Sequence, residues 1–173
     1  MTGIFVSAGH SDVDPGAVAF GRKEADIAVE FRNMVAFYLQ REGIPHELDG
    51  KGTQNLPLKQ AAASAKRFPI AVEFHCNAAS ASATGVETLS GPKDMELGGR
   101  IAQAIASALG IRNRGAKDEQ SGQHSRLAFV QAGGIIVEIL FITNAADLAA
   151  YDARKWLAAK AVADVLIDKA KQA

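Results

Sequence analysis

Apolar positions in this chain follow two rhythms that take turns along it. Short unbroken runs, Ile4-Phe5-Val6, Ile70-Ala71-Val72-Glu73-Phe74 and Ile135-Ile136-Val137-Glu138-Ile139-Leu140, have the length and β-branched content of buried strands. Elsewhere apolar residues recur three and four apart. Ile27, Phe31, Met34, Val35, Tyr38 and Leu39 make one helical stripe, and Trp156, Leu157, Ala161, Val165 and Leu166 another. The pattern predicts a strand over 3–8, a loop over 9–22, a helix over 23–43 stopped by Gly43 and Pro45, and a short strand over 46–49. A helix over 57–67 leads through Pro69 into a strand over 70–75, followed by a strand over 85–89 and a helix over 97–109 that ends at Gly110. The polar stretch 111–126 reads mostly as loop, 126–132 as a short helix, 135–141 as the most apolar strand and about 152–171 as the last helix. Strands alternating with helices argue for an α/β domain.

Composition narrows the partners. A chain of 173 residues with 48% hydrophobic and 22% charged residues fits one globular domain, and a formal net charge of zero gives no footprint for nucleic acid or anionic lipid. The single cysteine, Cys76, excludes an internal disulfide and a Cys-rich zinc module. The longest apolar runs are strand-sized, so no stable membrane insertion is expected. Met1-Thr2-Gly3-Ile4 lacks the basic region and long apolar core of a secretory signal, so synthesis and folding in the cytoplasm are expected.

Candidate chemistry gathers where strand-like runs give way to loops or a helix begins: His10, Glu24, His75 and Glu138. In an open α/β sheet such ends meet in one crevice, where ligands bind. Two imidazoles and one carboxylate would make a three-ligand zinc site with an open position, leaving the other carboxylate as base. Each residue also has a plainer reading, Glu24 as a complement to a helix dipole and a lone His as a satisfied polar group. Glu138, flanked by Ile136-Val137 and Ile139-Leu140, is expected to be buried and so paired, protonated or near a metal. His46 lacks a second His at helical spacing, and His124 sits in a polar loop where it could line the cleft. Cys76 points to the opposite face of its strand from His75, which fits a core residue better than a thiol nucleophile.

Taken in order, Ser7-Ala8-Gly9-His10, Asp14-Pro15-Gly16-Ala17, Glu24, Phe74-His75-Cys76-Asn77-Ala78 and Val137-Glu138-Ile139-Leu140-Phe141-Ile142-Thr143-Asn144 resemble the zinc-dependent N-acetylmuramoyl-L-alanine amidases. Asn113-Arg114-Gly115-Ala116-Lys117 is similar to that family's segment ahead of its last helix–strand pair, and the likeness runs from residue 4 to about 147. The resemblance implies a single domain over 1–173, a mixed, mostly parallel central sheet flanked by helices, with no separate wall-binding domain. It implies one Zn2+ held by His10, Glu24 and His75, with Glu138 as catalytic acid/base. Asn77 and Asn144 match polar positions near the site, their roles left open. Leu140, Gly134 and Ser7-Ala8 depart from the commoner Gly, Pro and Asp-Pro, which touches groove detail rather than the metal.

The implied activity is cleavage of the amide between the lactyl group of N-acetylmuramic acid and the first L-alanine of the peptidoglycan stem. The interval from Asn77 to the 97–109 helix, about twenty residues, leaves little room for a helix that blocks the cleft. With no signal or wall-binding repeats, the chain looks like a monomeric phage or prophage lysis enzyme, reaching the wall through a membrane lesion. A zinc peptidase cutting within the stem, and a wall-binding module that has lost catalysis, are the competing expectations.

Overall fold

The computed structural model describes residues 3–11, 13–121 and 126–172. Its centre is a six-stranded sheet. The strands are β1 (Ile4–Ala8), β4 (His46–Leu48), β5 (Ile70–Asn77), β6 (Val86–Ser90), β7 (Asn113–Asp118) and β8 (Ile135–Phe141), ordered β4-β1-β5-β8-β6-β7. The first four in that order run parallel; β6 is antiparallel to β8, and β7 is parallel to β6. The near-continuous apolar runs of β1 and β8 are those of strands covered on both faces. The mixed, mostly parallel α/β sheet expected from the sequence is therefore what the chain forms.

Helices α1 (Glu24–Arg41), α3 (Met95–Leu109) and α5 (Ala145–Lys171) pack on one face. There Ile4, Val6, Ile70, Val72, Phe74, Cys76 and Val137 meet Ile27, Phe31, Ile101, Ile105, Tyr151 and Val162. The other face carries α2 (Leu58–Ala65) and α4 (Ala128–Gln131) over a smaller cluster of Phe5, Ala71, Leu89, Phe129 and Ile136. This second layer covers only part of its face. Because side chains alternate along a strand, Ser7, Glu73, His75, Asn77, Glu87 and Glu138 lie on this same face, beyond that apolar cluster.

Several boundaries differ from the sequence reading. The stretch read mostly as loop contains β7 and a 3-10 turn at Glu119–Ser121. As an edge strand β7 pairs, among the described residues, only with β6 and buries none of its side chains, so it shows no apolar alternation. The loop over 9–22 holds most of a small hairpin, β2 (Val18–Ala19) against β3 (Arg22–Lys23). Helix α5 starts at Ala145, well before 152, because Asn144 caps it: its Oδ1 accepts from the Ala146 and Asp147 amides at 2.9 and 3.1 Å. Strand β5 runs on to Asn77.

Candidate active site

At the C-terminal ends of β1 and β5 the chain brings His10, Glu24 and His75 together. His10 lies just past the end of β1, after Gly9, and has φ +67, a left-handed conformation that costs a non-glycine residue about 1–3 kcal/mol. The turn is held by paired backbone bonds between Ser11 and Asp14 and by the Asn55 amide, which donates to the carbonyls of Ala8 at 2.9 Å and His10 at 2.6 Å. Glu24 opens α1 and is 4% exposed. Two glycines make the approach possible. A Cβ on Gly9 would strike the His75 ring, and one on Gly16, where φ is +64, would lie 2.6 Å from the His10 ring and 2.7 Å from Glu24 Oε2.

Glu24 Oε1 stands 2.9 Å from His10 Nε2 and 3.0 Å from His75 Nδ1. It also accepts from the Cys76 amide at 3.0 Å, while Oε2 accepts from the Ala17 amide at 3.0 Å. Burial alone would raise the Glu24 pKa, but the hydrogen bonds from both histidines and the Ala17 amide hold it well below the ordinary carboxylate range. The far nitrogen of each imidazole meets another carboxylate: His10 Nδ1 faces Asp14 Oδ2 at 3.0 Å, and His75 Nε2 faces Glu73 Oε1 at 3.1 Å. Contact with Glu24 raises the His10 pKa against the opposing effect of burial. At His75 burial works against the charge, and the bonds to Glu24 and Glu73 outweigh it, lifting the pKa well above its usual value.

This donor set fits a metal ion. One ligand atom from each of His10, Glu24 and His75 lies within 4.8 Å of the others. Both rings are fixed from behind by a carboxylate, the arrangement that orients metal-ligating histidines and increases their basicity. A cation would displace protons from the rings and find two nitrogens and one oxygen, the ligand types of a catalytic zinc site.

Glu138 lies beside this group at mid-strand in β8, opposite His75 on β5 and Glu87 on β6. Its side chain is partly buried, and Oε2 is shielded from solvent with no hydrogen-bond partner among the described residues. Burial pushes its pKa up to about 7, with His75 pulling the other way. A carboxylate in this state can accept a proton near neutral pH and release it again. The cleft in front of it, about 540 Å³, is lined by His10, Glu24, His75, Asn77, Glu87, Arg126 and Glu138 among others.

The remaining sequence candidates separate. Asn77 reaches the cleft, donating to Glu87 Oε1 at 3.0 Å. Asn144 is taken up by helix capping and by donating to the Ala81 and Ala83 carbonyls. His46 Nδ1 bonds the Ile44 carbonyl at 2.8 Å, away from the cleft. His124 lies outside the described residues. Cys76 is 4% exposed in the larger core, and burial raises its thiol pKa, as suits a core residue.

Glu73 is not among the residues the sequence singles out, although it shares a strand face with His75 at a spacing of two. Its Oε2 accepts from Ser7 Oγ at 2.9 Å. Ser7 in turn contacts Asp49 at 3.0 Å, whose other oxygen pairs with the fully buried Arg32 at 2.7 Å. Asp14 belongs to a segment that carries the family resemblance, but its bond to His10 and the role of Asn55 show only in the folded chain.

The sequence matches the family described as N-acetylmuramoyl-L-alanine amidase (Amidase_3) over residues 4–168. It is 30% identical over 151 residues to the Bacillus subtilis protein YqiI, covering 83% of this chain and 72% of that one. It is 28% identical over 152 residues to the N-acetylmuramoyl-L-alanine amidase LytC of the same organism, of which the match spans 30%. A crystal structure from Neisseria meningitidis, assigned as an N-acetylmuramoyl-L-alanine amidase, superposes with a TM-score of 0.88 at 41% identity, covering 96% of this chain and 95% of the other. With a family match over nearly its whole length, the chain belongs to the N-acetylmuramoyl-L-alanine amidase family.

Proposed function

We propose that this protein is a zinc-dependent peptidoglycan amidase that cleaves the bond between N-acetylmuramic acid and the L-alanine of the stem peptide. Family membership supports the reaction class. The observation that carries the mechanism is the meeting of His10, Glu24 and His75 beside a carboxyl oxygen of Glu138 that has no hydrogen-bond partner among the described residues.

His10, Glu24 and His75 would hold the ion, with Asp14 and Glu73 orienting the two rings. Zinc bound by three protein ligands lowers the pKa of water to about 7 and polarises a carbonyl, which an amide substrate requires. Glu138 takes the proton from the attacking water at Oε2 and returns it to the departing L-alanine amine, so one residue serves as base and then acid. Leu89 and Ile136 line the same cleft and make its wall beside Glu138 partly apolar.

Between Asn77 and α3 the structure places β6 and one 3-10 turn, and no helix of that interval covers the cleft. A cleft not blocked by a helix of that interval suits an enzyme that acts without an activator, the property a cell-lysis enzyme needs. No helix among the described residues is long and apolar enough to cross a membrane. Digestion of purified peptidoglycan by zinc-loaded protein, followed by mass analysis, tests the reading. Muramic acid freed of peptide, together with peptides bearing a free L-alanine amine, is the expected outcome. New termini within the stem would indicate a peptidase, and wall binding without any release would indicate a module that has lost catalysis.

A further inference from the structure

The open face of the sheet carries a line of polar residues that continues beyond Glu138. Glu138 stands opposite Glu87, and β7 follows at the sheet edge with Lys117 opposite Leu89. Glu87 Oε1 accepts from Asn77; Glu87 Oε2 accepts from both Arg114 Nε and Lys117 Nζ, the latter at 2.7 Å. One carboxylate is thus met by two cations, leaving one positive charge in excess. The Glu87 side chain is 9% exposed, whereas Arg114 and Lys117 are each 28% exposed. The cations hold Glu87, which lines the cleft, from the side of β7 and are themselves partly exposed.

Arg114 is oriented by more than its ion pair. Its Cζ lies 5.0 Å from the centre of the Phe141 ring, which restrains the plane of the guanidinium. Its terminal nitrogens make no hydrogen bond among the described residues. A planar fork with free donors is the geometry that binds a carboxylate in bidentate fashion.

We propose that Arg114 and Lys117 form a subsite that binds carboxylates of the stem peptide beyond the scissile amide, making a free carboxylate there a determinant of substrate choice. This rests on the amidase reading above. Two to three strand spacings of about 4.8 Å separate His75 and Glu138 from β7, roughly 10–14 Å in all. An extended peptide covers that distance in about three or four residues at about 3.3–3.6 Å each. A stem whose first amide lies at Glu138 therefore brings its next few residues, with their backbone and terminal carboxylates, over Glu87 and β7.

The test compares two soluble muramyl peptides, one with free stem carboxylates and one with those groups as carboxamides, on wild type, Lys117→Met and Lys117→Arg. Wild type is expected to favour the carboxylate substrate about tenfold in kcat/KM, through KM. Lys117→Met should bring that ratio close to one, and Lys117→Arg should restore most of it. A wild type without preference would overturn the proposal, and so would an equal loss on both substrates in Lys117→Met, which would mark Lys117 as a partner of Glu87 alone. If zinc-loaded wild type cleaves neither substrate, the amidase reading falls and the subsite with it.

Discussion

The two faces of the central sheet are made by the same strands and have opposite characters. Along β5, Ile70, Val72, Phe74 and Cys76 enter the core under α1, α3 and α5, while Ala71, Glu73, His75 and Asn77 point to the opposite face, which α2 and α4 cover only in part. The first face is close-packed and apolar. The second is apolar only near Phe5, Ala71 and Ile136, then turns to carboxylates and imidazoles. Buried ionisable groups are weak evidence for stability, since desolvation opposes their attraction. The fold is thus held chiefly by one face, and the other can carry strained and charged groups such as His10 in its left-handed turn.

Substitutions on the two faces should therefore fail in different ways. The largest effect is expected from His10→Ala, His75→Ala or Glu24→Ala, each of which should abolish stoichiometric zinc binding and hydrolysis together, as read by metal content and fragment release. Full zinc retention in either histidine variant would remove it from the ligand set. On the opposite face, Phe74→Ala removes a ring packed 4.9 Å from that of Phe31 and should cost about 3–5 kcal/mol in denaturant unfolding. The molecules that remain folded should still bind zinc. Loss of the metal at native-state concentrations would show that the faces are not separable.

Smaller effects test how the second face is supported. Glu73→Gln leaves a hydrogen-bond partner for His75 Nε2 but removes its charge, and should weaken zinc affinity by about 10–100-fold with little change in melting temperature. Acid should weaken zinc binding as well. Both ring pKa values are raised in the metal-free protein, so below them a proton must leave each ring before it can bind metal. Apparent affinity should rise with pH up to those raised values, by at most about tenfold per pH unit for each proton displaced, and then level off. A flat profile across that range would contradict carboxylate-paired histidines as ligands.

The same division explains how much was legible in the sequence. The apolar face announces itself: the runs at Ile4, Ile70 and Ile135 and the stripe of α1 gave strands and helix because burial demands a period. His10, Glu24, His75 and Glu138 stood out because polar residues at the ends or centre of such runs require a reason. What lay beyond periodicity was hidden. Edge strand β7 buries no side chain, so Arg114 and Lys117 were read as loop. Glu73 shares a strand face with His75 and Asp14 lies four residues from His10, yet neither spacing by itself announces a bond to an imidazole, and Asn55 acts across 45 residues, which no local pattern records. Asn144, by contrast, was noticed as a polar group near the site and has a local explanation, the capping of α5.

The most direct test is zinc-normalised turnover of Glu138→Gln on a muramyl-peptide amide. Gln keeps the shape at this position but cannot take a proton from water. The variant should bind one zinc, melt near the wild-type temperature and lose activity by about a hundredfold or more. Near-wild-type cleavage at full zinc occupancy would contradict Glu138 as the base, and loss of zinc along with activity would make it a ligand instead.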